Sequence, residues 1–462
     1  MPESGQLGEE DQVEYGSVQL ALPTLESVGF ARQGSRGARR NLLRPRDRAF
    51  HDWYRFVLSF PPHLVRSYME CFKLDEKHVV LDPFCGTGTT LVEAKLHHVR
   101  AIGLEANPFA HLASSVKVTW DIDPDVFLAG VQEVATAARG ILRDQGIDDS
   151  RPFMGDLGDI PLRTLEPEAS RLIIKNSISP LPLHKTLVLQ ECLGRYQEAQ
   201  WYEHALLALA NALVFSISNL RFGPEVGAGK SKDDAEVVGA WLRETQKIAR
   251  DLRTVAGQDY PRADAYLADA RSLEGVLDPG SVDAVITSPP YPNEKDYTRT
   301  TRLESVILGF FSSRLQLRTL KKNLVRSNTR GVYKDDDDDE WVVDHPQIQC
   351  VAEEIERRRL QLGKTSGFER MYARVTRLYF GGLARHLAGL RTVLRPGAQL
   401  AYVVGDQASY LRIMIRTGRL LSDIAEGLGY QLVRTDLFRT RFATATKEQL
   451  REEVVVLRWP GQ

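Results

Sequence analysis

The sequence predicts an α/β protein: a doubly wound, seven-stranded and mostly parallel sheet carrying a large helical insertion and a second, smaller one. Three observations predict it. Short apolar runs alternate with helix-periodic stretches at both ends of the chain. A turn containing Gly86 and Gly88 joins the first apolar run to the next helix, as in sheets that bind ligands at their strand ends. The alternation is interrupted twice by segments too long to be ordinary connections.

In chain order, residues 62–72 read as a helix with Leu64, Val65, Tyr68 and Met69 on one face, followed by a strand at 78–82. A helix at 89–97, a strand at 100–105 and a helix at 108–118, with Pro108 where proline is tolerated, complete two βα units. From 121 to 255 the pattern is largely helical, with periodic stretches at 126–142, 201–220 and 235–252. Strands return at 265–270 and 282–287. The second interruption, 298–365, is charged, and its middle (327–341) reads as a loop. A long helix, 368–394, stops at Arg395-Pro-Gly397, and strands at 399–404, 430–436 and 453–457 bring the count to seven. The organisation expected is a basic arm (1–50), a catalytic domain in three parts (51–119, 258–297, 368–462), a helical insert (120–257) and a basic/acidic insert (298–367).

Composition excludes several classes. The chain is 462 residues long, 43% hydrophobic and 26% charged, with no apolar run able to span a bilayer. Its N-terminus is polar and acidic and lacks the apolar core of a leader. Four scattered cysteines (Cys71, Cys85, Cys192, Cys350) suggest neither a disulfide framework nor a zinc site, so a cytoplasmic protein without a metal is expected. The net charge of −1 hides segregation. Arg36, Arg39, Arg40, Arg44, Arg46, Arg48 and Arg55 face only Asp47 and Asp52, and Lys321, Lys322, Arg326, Arg330 and Lys334 precede the acidic run from Asp335 to Glu340. Such clusters fit a local polyanion site, and equally the solvated faces of surface helices.

Three strand ends carry carboxylates: Asp82, Glu105 and Asp269. At the carboxyl edge of such a sheet, Glu105 can accept from both hydroxyls of a ribose and Asp269 from an adenine amino group. A dinucleotide fingerprint would need a third glycine where Leu91 stands. After the fourth strand comes Ser288-Pro-Pro-Tyr291, which alone would be only a rigid turn.

In this order the motifs resemble those of the amino-methyltransferase family of DNA modification enzymes. Asp82-Pro-Phe-Cys-Gly-Thr-Gly-Thr-Thr90 resembles its motif I, Phe60-Pro-Pro-His-Leu-Val65 its motif X, Glu105 and Asp269 its motifs II and III, and Thr287-Ser-Pro-Pro-Tyr291 its motif IV. The resemblance covers the sheet-forming segments and implies a Rossmann-like methyltransferase sheet that binds S-adenosylmethionine. The cofactor residues it implies are Phe60, Pro61, Asp82, Phe84, Cys85, Gly86, Thr87, Gly88 and Thr89, together with Glu105, Ala106, Asp269 and Ala270. It also implies double-stranded DNA as partner, with a cognate restriction endonuclease where the enzyme serves a restriction–modification system.

An exocyclic amino nitrogen shares its lone pair with the ring and is a poor nucleophile. Acceptors for its two N–H groups localise that lone pair; the Ser288 hydroxyl and the Pro289 carbonyl are the candidates, with Pro290 stiffening the loop. Tyr291 offers a face on which a base rotated out of the duplex can stack. Transfer is then a direct displacement, with serine as an orienting group. Serine at the start of the clamp favours cytosine N4 over adenine N6 by the family's habit alone. An RNA substrate stays open, and a silent DNA-specificity module is a third reading, opposed by intact Asp82, Glu105, Asp269 and Ser288.

Other motifs weigh less. Cys85 lies in the cofactor loop, whereas a cytosine-C5 enzyme needs its Pro-Cys after strand four. Gly223-Pro-Glu-Val-Gly-Ala-Gly-Lys-Ser231 has one residue too many for a phosphate loop. Glu93 and Lys95 belong on a helix, not in a nuclease site, and His97-His98 diverge as neighbours do. Motifs I and IV lie about two hundred residues apart, which makes 121–255 the expected recognition region. The basic stretch with Lys321, Lys322, Arg326 and Arg330, and the arm with Arg39 and Arg40, are the expected DNA contacts.

Overall fold

The computed structural model describes residues 43–461 apart from 56–58, 224, 294 and 444–447. Arg39 and Arg40 therefore lie outside the described residues. Seven strands form one sheet: β1 (Val79–Asp82), β2 (Arg100–Glu105), β3 (Ala263–Leu267), β4 (Val282–Thr287), β5 (Leu394–Gly405), β6 (Gln431–Ala443) and β7 (Glu448–Arg458). Their order is β3–β2–β1–β4–β5–β7–β6. Only β7 runs against its neighbours, pairing antiparallel with β5 and β6. The order reverses between β1 and β4, and in open α/β sheets that switch point opens a crevice at the carboxyl ends.

The central strands carry apolar runs, Val79–Leu81 in β1 and Ala284–Ile286 in β4, because both faces are covered. Their alternation sorts side chains between two cores. Val80, Ala284, Ile286, Ala401 and Val403 point to one face, Leu81, Val285, Leu400, Tyr402 and Val404 to the other. The first face is covered by α1 (Pro62–Phe72), α2 (Thr89–Leu96) and α3 (Pro108–Val118), the second by α10 (Tyr372–Leu390) and α11 (Thr417–Gly427).

Each insertion extends one core. In the first, helices α4 (Pro124–Asp144), α5 (Pro180–Gly194), α6 (Tyr202–Ala212) and α7 (Val237–Val255) pack into the α1–α3 core through Phe127, Leu189, Leu209 and Trp241. The periodic stretches at 126–142 and 235–252 mark α4 and α7. The stretch at 201–220 ends earlier, in a π turn at Leu213–Ile217. At the stretch expected not to be a phosphate loop, Leu220–Phe222 and Val226–Ala228 pair as two short antiparallel strands. In the second insertion, the helices α8 (Arg314–Lys322) and α9 (Pro346–Gln361) flank the expected loop, and Ile348, Ala352 and Ile355 of α9 join the α10–α11 core. Among the described residues no helix is long and apolar enough to cross a membrane.

Candidate functional site

The loop after β1 is organised by a buried carboxylate. Asp82 is 0% exposed and accepts from Thr90 Oγ1 (2.6 Å), Thr287 Oγ1 (2.6 Å) and the Phe84 amide (3.1 Å). One side chain thus ties together the glycine loop, the first turn of α2 and the end of β4. Burial pushes its carboxyl up to about 6, against the pull of those three donors. Asp82 does not line the cavity beyond the strand ends; its oxygens join two loops. Gly88 and Pro61 are likewise absent from the lining. Gly88, at φ +83°, permits close packing on α3, since a Cβ there would lie 3.0 Å from Ser114, and Pro61 is the N-cap of α1.

The cavity, of about 390 Å³, is lined by Phe60, Phe84, Cys85, Gly86, Thr87, Thr89, Glu105, Ala106, Asp269 and Ala270, and also by Ser288, Pro289, Pro290 and Tyr291. The two expected groups of residues share one space. Glu105 accepts from the Gly86 amide (2.9 Å) and the Asn107 amide (2.7 Å), one on each oxygen. Burial pushes its carboxyl up to about 7. Gly86 has φ +53°, and the space where a Cβ would project is open. Cys85 is buried and its thiol is pushed far up by burial, so it is no nucleophile. Phe84 packs edge-on against His386 at 5.0 Å, and that ring is itself fixed by Ala270 O (2.8 Å) and Tyr402 Oη (2.7 Å).

Asp269 is not alone at its strand end. Arg271 donates to both its oxygens, at 2.6 Å for the closest contact, and also reaches Asp338 and the Lys322 carbonyl. On the clamp side, Ser288 Oγ donates to the Val403 carbonyl (3.1 Å), and the Tyr291 amide donates to Tyr297 Oη (3.0 Å). The Tyr291 ring lies over Gly405, where a Cβ would come within 2.9 Å of Cε2.

The expected phosphate contacts of the second insertion are engaged in ion pairs within the fold. Lys321 is bound to Asp296 (2.7 Å), Lys322 to Asp335, and Arg326, 4% exposed, to Asp336 (2.7 Å). The acidic run folds back on the basic stretch, which sequence spacing alone does not reveal. Arg330 stays exposed, its guanidinium 5.9 Å from the Phe368 ring. The lining passes from Ala110 directly to Ala268, so the helical insert contributes none of it, whereas Thr301, residues 323–328 and Gly331 of the second insertion do. Glu93 is confirmed as a helix residue and is buried against Arg66 (2.7 Å) and His51 (2.7 Å).

Sequence reasoning missed Asn293, Lys295 and Tyr297 of the loop after the clamp, and Arg439, Arg441 and Glu452 of the β6–β7 pair, all of which line the cavity. The alternation Arg439-Thr-Arg441 was the available signal: two cations on one face of a strand.

A family model described as DNA methylase matches residues 39–115. The type II methyltransferase M.BsoBI of Geobacillus stearothermophilus is 22% identical over 459 residues, covering 89% of this chain and 85% of that protein. The type II methyltransferase M.AvaI, from Nostoc sp. and from Anabaena variabilis, is 29% identical over 441 residues, covering 88% and 86%. Among solved structures, TrmN from Thermus thermophilus aligns over 90% of this chain at 13% identity with a TM-score of 0.30; the chain spans 54% of that one's length.

Proposed function

We propose that this chain, similar to a DNA methylase family model and to type II methyltransferases, is an N4-cytosine/N6-adenine DNA modification methyltransferase that transfers a methyl group from S-adenosylmethionine to the N4 amino group of a cytosine rotated out of duplex DNA. The observation that carries this reading is that Glu105 and the Ser288–Tyr291 clamp line one cavity. A cofactor carboxylate and a base clamp must lie that close for a direct transfer.

The residues present fit the cofactor. Glu105 is a half-buried carboxylate with one backbone donor on each oxygen, so lone pairs remain for two ribose hydroxyls. Gly86 leaves open space where any other residue would place a Cβ. Asp269 and Phe84 offer a polar edge and a flat face for adenine. When bound, S-adenosylmethionine supplies a methyl group on a sulfonium, activated for displacement.

The chain's own work is to orient the amino nitrogen. Ser288 gives its one hydroxyl proton to Val403, so towards the cavity it can only accept. An acceptor is what an amino N–H needs. The Pro289 carbonyl is the second acceptor, and two consecutive prolines hold it in place. Tyr291 stacks on the base, its ring set by Gly405 behind and its amide by Tyr297. With both N–H groups held, the nitrogen lone pair points at the methyl carbon, and the proton released leaves to solvent after transfer.

The choice of cytosine rests on serine at the head of the clamp. A role as the modification partner of a restriction endonuclease rests on the type II relatives. The test is mass spectrometry of nucleosides from DNA treated with the enzyme and labelled cofactor. Label in N4-methyldeoxycytidine is expected; label in N6-methyldeoxyadenosine alone would reassign the base, and no label in DNA would overturn the reading.

A further inference from the structure

Five cations line the cavity: Lys295, Lys321, Arg326, Arg439 and Arg441. Three are each held closely by a carboxylate. Lys321 holds Asp296, Arg326 holds Asp336, and Arg439 donates to both oxygens of Glu452, one of them at 2.8 Å. The other two are held less closely or not at all. Arg441 lies 3.5 Å from a Glu452 oxygen that Arg439 already occupies, and it is 44% exposed. Among the described residues no carboxylate comes within ion-pair distance of Lys295, which is half-buried.

Both of these cations line the same cavity. Burial, and next the positive charge of Arg441, hold the Lys295 ammonium below its ordinary value, against the weaker pull of Glu225 and Glu452. Two like charges brought together at a half-buried rim are unfavourable until an anion arrives. Lys295 lies four residues beyond Tyr291 in the same loop, and Arg441 lies on the strand β6, which also lines the cavity. A base that stacks on Tyr291 carries its own phosphates to the rim, one nucleotide away.

We propose that Lys295 and Arg441 form a binding site for a phosphodiester flanking the extruded nucleotide, and so supply the electrostatic hold on DNA at the mouth of the cavity. This rests on the function proposed above and moves the phosphate contact from Lys321 and Arg326, each closely paired, to Lys295, with no carboxylate within ion-pair distance among the described residues, and Arg441, which only shares Glu452 with Arg439. Phosphate contacts fix register on the strand without reading sequence, which suits a pair at the rim.

The experiment compares wild type with the double variant Lys295→Gln/Arg441→Gln, measuring KM for unmethylated plasmid DNA across a salt series and, separately, cofactor affinity. The expected result is a plot of log affinity against log salt shallower by about 0.9 for each phosphate no longer neutralised, with cofactor affinity unchanged. Lys295→Arg/Arg441→Lys, which keeps both charges, is expected to retain the wild-type slope. An unchanged slope in the neutral double variant overturns the proposal and leaves the pair to an acidic protein segment. Should that variant lose cofactor binding, Arg441→Gln alone decides the matter: a slope change of about 0.9 supports the site, and none contradicts it. If wild type transfers no methyl group to DNA, the proposed function falls; if it does so and the slope is unmoved, only this inference falls.

Discussion

Glu105 sits between two demands. It is buried enough that its carboxyl is pushed up to about 7 from an ordinary 4.5, yet its proposed task is to accept from two hydroxyls, which requires the ionised form. The folded chain holds that proton more tightly than the unfolded chain does. Between pH 4.5 and about 7 the ligand-free fold therefore loses stability as pH rises. Binding has the opposite sign. Donors on the ligand favour the carboxylate, so affinity for S-adenosylmethionine is full above about pH 7 and falls as pH drops below it, by up to about tenfold per unit. Calorimetry over that range checks this, and a flat affinity would remove Glu105 from the site. Glu105→Ala, which leaves the Gly86 amide without its acceptor, is expected to weaken binding by about 1–3 kcal/mol. The placement of Glu105 at the end of β2 and of Ser288 just after β4 was legible in the sequence because both follow from the strand order. Arg439 and Glu452 were not, because their partnership spans two strands whose register no local pattern reveals.

At the scale of elements, the acidic run from Asp335 to Asp339 is the feature that sequence reading placed least well. It reads as a solvated loop, yet it docks on α10. Gly381 makes this possible: a Cβ there would lie 1.7 Å from the Asp338 carbonyl oxygen. Asp338 in turn holds Arg271, which holds Asp269 at the cavity. Gly381→Ala is expected to force the turn away from the helix, at a cost of about 1–3 kcal/mol in stability. It is also expected to weaken cofactor binding through the released Arg271. Thermal unfolding together with calorimetry tests both parts, and unchanged cofactor affinity in a destabilised variant would show that the turn serves the fold alone. Charge runs are legible as charge, but which opposite charge they meet is a tertiary fact. That is why Lys321, Lys322 and Arg326 read as a phosphate patch and fold as ion pairs.

Across the whole molecule, what was legible followed from burial on both faces. Strands β1 and β4, flanked by parallel neighbours, show continuous apolar runs, and the helices α1 and α3, with prolines in their first turns, were bounded by sequence to the residue. The reversed direction of β7 was not legible, since an apolar strand looks the same either way. Nor was the division of labour between the insertions: both complete cores, but only the second reaches the cavity. The central claim is that this one cavity brings a methyl donor to an amino nitrogen oriented by Ser288. The most direct test is the single-turnover rate of methyl transfer to DNA by Ser288→Ala saturated with S-adenosylmethionine. The account predicts a rate lower by about 100-fold or more, the usual loss on removing one orienting hydrogen bond from a reacting centre. Transfer at close to the wild-type rate would contradict it.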